Sequence, residues 1–542
     1  MSSILPDVAI SLPRASIVYC QKKQIKKNLV FNAVVAATLL ACLSGSSSAQ
    51  ENGLLPPKTL PLSSITGAPI SSTSTSSSKT KQPQTVLNPL NTTVMGDSVE
   101  ATLPWVEEVA MGEKVFYEFR QNGLWLDDPE IDTYLQSIVD KLRPRNGVWA
   151  TRSIRAKAVN DNAINAFALP GGMIGVNIGL IRRVDSESEL ASVLAHEISH
   201  VTQRHVVRMM ESQPNQLLWL LGGVLLAAIS ARAGNGDAAQ GAIMAGSAGG
   251  AQQQLAFTQS FEREADAIGL ERLENSKFDP SAMYTMLRSL QRQIHGNQLP
   301  PYLRTHPLES ERMALIEGRL KEVPYKQYLS SYDFFLVRAL ASSYNDSAET
   351  AIERQKKLFE TGQYQNAFSA RYAWAAALVR ADHYAEAEKV IEPLYSPKAH
   401  PMVLSLYGLA LAKQKKYESA LSVYQSALGL WPDNQQLAHD YAEALWASGR
   451  ADKALKFLQE TFRRMPNFTQ AMKLASECAA SLGKKSEQYR YDALYLGYHL
   501  AQWRPAVERM QWALDAATTW QERAELQSLQ KKLKQRSKES KS

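Results

Sequence analysis

The stretch Glu189-Leu-Ala-Ser-Val-Leu-Ala-His-Glu-Ile-Ser-His200 decides how the rest of the chain is interpreted. It contains the pattern H-E-x-x-H, at His196, Glu197 and His200, among apolar residues spaced as in a buried helix. Two histidines four residues apart lie about 40° apart around a helix, so both imidazoles project from one face. This spacing predicts a Zn²⁺ site, one ion per chain, with Glu197 beside it as general base. The alternative is a buried helix with two hydrogen-bonded histidines.

The first 49 residues have the composition of an export signal. Four lysines between Lys22 and Lys27 precede an apolar run, 29–43, and the small residues 44–49. This order predicts a secretory signal peptide that is cleaved after Ala49. The sequence Leu39-Leu-Ala-Cys42 leaves an alternative, a lipid anchor on Cys42 of a bacterial lipoprotein.

The formal charge of +7 is concentrated at the two ends of the chain. Residues 1–49 carry five basic side chains against Asp7, and residues 531–542 carry six against Glu539, so the middle is near −2. We therefore expect no nucleic-acid partner, and we expect a basic tail over 521–542 whose end, 531–542, is solvated and disordered. Signal cleavage leaves Cys478 as the sole cysteine, which excludes an internal disulfide and predicts an inert buried thiol.

Residues 50–103 are rich in Ser, Thr and Pro, which predicts a flexible linker. Helices are predicted over 109–122 and 128–142, and a strand over 153–159. Two apolar runs around Pro170-Gly-Gly172 then predict a hairpin. Its first arm, Asn165 to Leu169, is a candidate edge strand to which an extended substrate could add, although an ordinary core hairpin fits the pattern equally well.

A second helical stretch offers the carboxylate that a two-histidine zinc site needs. Glu262 and Asp266 share one helix face, whereas Glu264 points away from both. Glu262 is placed to be the third ligand, and Asp266 to orient a ligand histidine through its second ring nitrogen. A solvated acidic face is the alternative. His205, nine residues after the first motif histidine, is predicted to lie on the opposite side of the helix and so not to share that metal.

Two further segments leave several interpretations open. His306, in a loop before Pro307, could stabilise an oxyanion, occupy the fourth zinc position at rest, or only form hydrogen bonds. The apolar segment 217–229 is too short for a membrane span. It could make a peripheral membrane contact, meet an unfolded client, or pack as a helix over the core.

Residues 330–520 are helical and repeat at the tetratricopeptide period. Tyr384 and Ala387 recur 33 residues later as Tyr417 and Ala420, and Pro432 recurs 34 residues later as Pro466. Stacked units of this kind form a concave groove that binds peptide segments or partner proteins.

Four segments in this order resemble a zinc metalloprotease family, the one that includes the CAAX-prenyl endopeptidases. They are 165–172, 196–200, 262–266 and 305–307. The resemblance implies that His196, His200 and Glu262 bind zinc, that Glu197 is the base, and that Asp266 supports a ligand. It also implies that His306 coordinates zinc in the latent enzyme and moves away on activation.

The exported, repeat-bearing form of the family further implies a periplasmic, chaperone-like role in outer-membrane protein assembly. Its expected partners are unfolded or misassembled outer-membrane proteins, which it would degrade, and the β-barrel assembly machinery, bound through the repeats. The predicted fold is mainly α: an α+β zincin-type protease domain with a small sheet, 104–325, followed by the repeat solenoid. The rival interpretation is a non-catalytic periplasmic scaffold. A prenyl-protein protease is excluded because that class needs several spanning helices.

Overall fold

A computed structural model describes residues 103–212, 251–294, 300–324, 326–344 and 347–539. These residues belong to one compact unit, 93–542. The predicted signal peptide, the linker up to residue 102 and the apolar segment 217–229 lie outside them. Within the described ranges, no helix is long and apolar enough to cross a membrane.

The N-terminal part combines helices with a small sheet. Its elements are α1 (Trp105–Gln121), α2 (Pro129–Leu142), β1 (Arg155–Val159), β2 (Ala166–Leu169), β3 (Met173–Asn177), α3 (Ile178–Arg183), α4 (Glu187–Thr202), α5 (His205–Ser212), α6 (Ala251–Asn275), α7 (Ser281–Gln291), α8 (Pro301–Thr305) and α9 (Ser310–Leu320).

The sheet has three strands in the order β1-β3-β2. β3 pairs in parallel with β1 and antiparallel with β2, where Leu169 lies opposite Met173. The hairpin prediction is therefore confirmed, with Gly171 in the left-handed region at φ 73° in its corner. β2 is an edge strand, and among the described residues its outer side has no strand partner.

Helix α4 lies at the centre of the protease core. Ser186 caps it by accepting a hydrogen bond from the Glu189 backbone N–H. Helix α6 packs directly against it, because Gly269 faces the first motif histidine. A Cβ at Gly269 would lie 3.4 Å from the backbone nitrogen of His196. The absence of a side chain there lets the two helices approach closely.

The C-terminal part is a series of antiparallel helices. They are α10 (Tyr332–Ser343), α11 (Ala348–Glu360), α12 (Ala367–Arg380), α13 (Tyr384–Ile391), α14 (Pro401–Lys413), α15 (Tyr417–Leu430), α16 (Gln435–Ala447), α17 (Ala451–Arg464), α18 (Met472–Ser481), α19 (Lys485–Leu494), α20 (Trp503–Ala516) and α21 (Trp520–Glu539). Small residues sit where neighbouring helices touch. At Gly408, for example, a Cβ would lie 2.6 Å from the ring of Tyr424.

Two apolar cores run through these helices. One extends from Ile131 to Ala410, so the protease domain and the first repeat helices share it. The other extends from Leu404 to Leu533. The first repeat helices therefore pack against the N-terminal part and extend its apolar core.

The prediction of a disordered end over 531–542 is wrong for residues 531–539, the part of it that the structure describes. Helix α21 covers them, and Leu526 and Leu533 are buried in the second core. Seven residues separate these two leucines, which places them on one helix face two turns apart. The basic side chains occupy the remaining surface of the helix, so charge alone concealed a packed apolar face.

Candidate metal centre

Helices α4 and α6 and the loop after α8 bring four potential ligands together. His196, His200, Glu262 and His306 each offer one ligand atom, and these atoms lie within 4.8 Å of one another. The Nε2 atoms of His196 and His200 are 3.0 Å apart. The Glu262 carboxylate lies 3.2 Å from the first of these atoms and 3.4 Å from the second. The structure thus places Glu262 beside both motif histidines.

His306 completes the cluster from the loop side. Its Nδ1 lies 3.0 Å from Glu262 Oε1 and 3.3 Å from His196 Nε2. Its Nε2 lies 3.4 Å from Glu197 Oε1. The ring stacks on Tyr302, with centroids 4.6 Å apart. His306 therefore covers the side of the cluster that faces Glu197.

The donor set fits a divalent cation. Imidazole nitrogens and a carboxylate are ligands that zinc accepts, and three protein ligands leave a position for water. Glu197 is 1% exposed, and neither of its carboxylate oxygens has a hydrogen-bond partner among the described residues. A buried carboxylate without a hydrogen-bond donor is costly, whereas a cation with its water would supply both charge and a donor.

Asp266 lies behind His196, where the sequence predicted it. Its Oδ1 is 3.0 Å from His196 Nδ1, so the ring can direct Nε2 into the cluster. Arg312 on α9 holds the same carboxylate from the other side through Nε and Nη2, at 2.7 and 2.9 Å. Its Nη1 is 2.9 Å from Glu262 Oε2 and donates to the carbonyl of Pro307 at 2.7 Å.

Sequence reasoning missed Arg312, which is 1% exposed. It stands four residues before the buried Ile316, on the same face of a helix whose other side chains are mostly exposed. An isolated arginine at helical spacing from the buried apolar residue is the sequence signal that could have identified Arg312 as buried. A buried guanidinium requires a buried anion, and two acidic residues of the neighbouring motif were available.

Burial and neighbouring charges shift the pKa values of the two motif histidines and of Glu262. Burial opposes protonation of His196, but Glu262 and Asp266 outweigh it and raise its pKa to about 10. Burial lowers the pKa of His200 to about 4. Burial also opposes ionisation of Glu262, yet the charges of His306 and His196 hold its pKa well below the usual value. Metal binding at this site would therefore displace a proton from His196.

His205 and Glu264 lie behind His200, outside the ligand cluster. The sequence correctly placed Glu264 away from Glu262 and Asp266. His205 is not in the ligand cluster, as predicted, but it does not lie on the opposite side of the motif helix, because α4 ends at Thr202 and Arg204 turns the chain at φ 52°. His205 consequently begins a new helix, and its Nδ1 lies 2.9 Å from the Nδ1 of His200.

The turn after α4 is fixed from the opposite side by α1. Glu108 is buried, and its carboxylate accepts from Arg204 Nε at 3.0 Å and from the Gly171 backbone N–H at 3.2 Å. One carboxylate therefore ties together α1, the corner of the hairpin and the end of the motif helix. Phe167 of the edge strand packs on Phe119 of α1, with centroids 5.5 Å apart.

This fold and site define a metallopeptidase that carries C-terminal tetratricopeptide repeats. The sequence model of peptidase family M48 matches residues 129–320, and a tetratricopeptide repeat model matches residues 411–478. The protease match covers the motif helix, the acidic helix and the loop of His306.

Curated relatives agree with the protease assignment. A beta-barrel assembly-enhancing protease of Yersinia pestis is 33% identical over 423 residues, 75% of this chain and 85% of the relative. The protein of the same name from Escherichia coli K12 is 32% identical over 418 residues, 75% of this chain and 83% of the relative. The mitochondrial metalloendopeptidase OMA1 of Arabidopsis thaliana is 32% identical over 160 residues, 29% of this chain and 30% of the relative. The chain belongs to the M48 metallopeptidase family of beta-barrel assembly-enhancing proteases.

Proposed function

We propose that this metallopeptidase is a zinc endopeptidase in which His196, His200 and Glu262 bind the ion and Glu197 is the general base. The observation that carries the proposal is the convergence of these side chains beside a buried carboxylate that has no hydrogen-bond partner in the described part of the chain. Structural zinc sites are usually closed and rich in cysteine, whereas this donor set contains histidine and glutamate beside an additional acid.

The bound ion would act as a Lewis acid that acidifies water and polarises the scissile carbonyl. Glu197 is placed to take the proton of the attacking water and to deliver it to the leaving amine. Asp266 would hold the His196 ring in its binding orientation. The free side of β2, which packs beside α4, would bind an extended substrate through main-chain hydrogen bonds.

His306 would keep the site latent. It lies against Glu262, His196 and Glu197, where both a fourth ligand and an attacking water would have to be. The loop carrying it follows a five-residue helix, Pro301–Thr305, and its Pro307 carbonyl accepts a hydrogen bond from Arg312. Displacement of the ring would expose Glu197 to a substrate.

The biological role would be quality control of outer-membrane proteins in the periplasm. The relatives named above are assembly-enhancing proteases, and the repeats offer a groove for client or partner proteins. Unfolded or misassembled barrel proteins would be cleaved, and the assembly machinery would be bound through the repeats. Sequencing the N-terminus of the exported protein distinguishes cleavage after Ala49 from lipidation at Cys42.

The test of the chemistry is Glu197→Gln, assayed on casein and on an unfolded outer-membrane barrel protein with and without a chelator. We expect zinc to be retained and cleavage to be lost, with Glu311→Gln on α9 as an exposed control that cleaves normally. Continued cleavage by Glu197→Gln would exclude this mechanism. Retained client binding by a wild-type protein that never cleaves would favour the scaffold interpretation.

The test of latency is His306→Ala. We expect faster, less regulated cleavage in the variant, or a changed zinc geometry. If cleavage and zinc geometry both match the wild type, His306 does not hold the site closed.

A further inference from the structure

We propose that His205 and Glu264 are positioning residues that fix the ring orientation and tautomer of His200, through a chain that runs carboxylate–histidine–histidine. The proposal rests on the metal-binding role of His200 given above. It assigns a function to the one acid of the motif Glu262-Arg-Glu264-Ala-Asp266 that faces away from the ligands.

The three side chains form a continuous line. His200 Nδ1, which points away from the cluster, lies 2.9 Å from His205 Nδ1. His205 Nε2 lies 3.2 Å from Glu264 Oε2, and Arg208 Nη1 donates to the same oxygen at 2.9 Å. His205 is 2% exposed, so its polar atoms have little access to solvent.

The ring protons of His200 and His205 follow from which atoms can donate and which can only accept. A histidine that binds a metal through Nε2 is neutral and carries its proton on Nδ1. The Nδ1–H of His200 must then donate to His205, whose Nδ1 accepts. His205 in turn carries its proton on Nε2 and donates it to Glu264, which as a carboxylate can only accept. Because Glu264 can only accept, it favours the tautomer of His200 that carries its proton on Nδ1. In this tautomer the lone pair of Nε2 points into the cluster.

The surrounding fold holds the middle ring in place. Phe261 stacks on His205 with centroids 4.3 Å apart and an interplanar angle of 10°. Arg208 lies over the same phenyl ring at 4.5 Å, which places it beside Glu264. The left-handed Arg204 turns the chain between α4 and α5 and so brings His205 back towards His200.

The two motif histidines thus reach their supporting acids in different ways. His196 meets Asp266 directly at 3.0 Å, whereas His200 meets Glu264 only through an intervening imidazole. Both acids and the ligand Glu262 come from one helix. Positions 262 and 266 share a face, and position 264 reaches the outer side of the His200 ring through His205. Groups that orient metal ligands in this way typically contribute 10- to 100-fold to metal affinity.

The experiment measures zinc affinity of the full chain by competition with a chromophoric chelator, and the absorption spectrum of the cobalt-loaded protein. All variants carry Glu197→Gln, so neither readout depends on turnover. His205→Phe keeps the stacked ring but cannot accept from His200. His205→Asn places an amide oxygen near the former Nδ1 and can accept. Glu264→Gln weakens the selection of the tautomer, and Arg263→Ala, which breaks the exposed pair with Glu311, is the control on the same helix.

We expect His205→Phe to bind zinc 10- to 100-fold more weakly, with a shifted cobalt spectrum. His205→Asn should recover most of the affinity, Glu264→Gln should show a smaller loss than His205→Phe, and Arg263→Ala should match the parent. Wild-type affinity and an unchanged spectrum in His205→Phe would overturn the proposal. Equal losses in His205→Phe and His205→Asn would also overturn it, because they would indicate a role in packing alone. Failure of the proposed function has a different signature, the absence of zinc from the parent itself.

Discussion

Arg312 donates two hydrogen bonds, of 2.7 and 2.9 Å, to the carboxylate of Asp266 in the interior of the protease domain. The same guanidinium reaches Glu262 Oε2 at 2.9 Å. Both carboxylates are buried, and the guanidinium is the cation that faces them from α9. The two acids that the proposed metal site needs are thus partly neutralised by a residue outside the recognised motifs.

Replacing Arg312 by methionine should therefore destabilise the metal-free protein strongly. Breaking one side of a buried ion pair leaves an uncompensated charge and costs about 3–5 kcal/mol. Urea unfolding followed by tryptophan fluorescence measures the loss. Arg319→Ala on the same helix is the control, because its side chain is 54% exposed and its change should stay within about 0.5 kcal/mol. Equal unfolding midpoints for the two variants would show that the carboxylates do not depend on Arg312.

Gly112 lies so close to the hairpin corner that a larger side chain there should lower the stability by steric overlap alone. A Cβ at this position would lie 1.9 Å from the carbonyl oxygen of Pro170, so α1 and the hairpin corner must separate to admit it. We expect Gly112→Ala to cost about 1–3 kcal/mol or more in the free energy of unfolding. Gly318→Ala is the matched control within a helix, since nothing lies within 4 Å of its Cβ position. It should stabilise the protein by up to about 1 kcal/mol. A Gly112→Ala variant as stable as Gly318→Ala would contradict the close packing.

His499 predicts a pH dependence at the contact between the repeats and α1. Its Nε2 lies 3.2 Å from Arg120 Nη1, and its Nδ1 lies 3.3 Å from Thr469 Oγ1. Burial and the charge of Arg120, against an opposing contribution from Asp127, lower the pKa of His499 to about 3. The folded state therefore holds this ring neutral, whereas the unfolded chain takes up a proton near pH 6.5.

The direction of the pH effect on stability follows from the number of protons that each state binds. Below pH 6.5 the unfolded state binds more protons than the folded state, so stability from His499 is complete above that pH and declines as the pH falls towards 3. For this half-buried ring we expect a loss of about 1 kcal/mol between pH 7 and pH 5.5. His499→Gln should lack this component, which the difference between wild-type and variant unfolding curves isolates. Identical pH profiles would show that His499 does not lose a proton on folding.

Much of this site follows from periodicity within single helices. The spacing of His196 and His200 places both rings on one face, and the spacing of Glu262 and Asp266 does the same for the acids. The hairpin follows equally from Pro170 and its two glycines. These features depend on local geometry, which the order of residues determines directly.

The parts that could not be predicted depend on where elements end and which elements meet. The helical wheel placed His205 on the wrong side because the helix ends at Thr202. No local sequence signal predicts the left-handed conformation of Arg204. Arg312 pairs with Asp266, 46 residues earlier, and with Glu262, 50 residues earlier, contacts that no periodicity encodes. The packed face of α21 was hidden by its charge, since Leu526 and Leu533 are only two of many residues in a basic segment.

The most direct test of the central claim is a crystal structure of the zinc-loaded Glu197→Gln protein with anomalous data at the zinc edge. We expect one anomalous peak per chain, within about 2.0–2.2 Å of a nitrogen of His196, a nitrogen of His200 and a carboxylate oxygen of Glu262. A zinc peak bound elsewhere, or coordination by the two histidines with Glu262 beyond bonding distance, would contradict it.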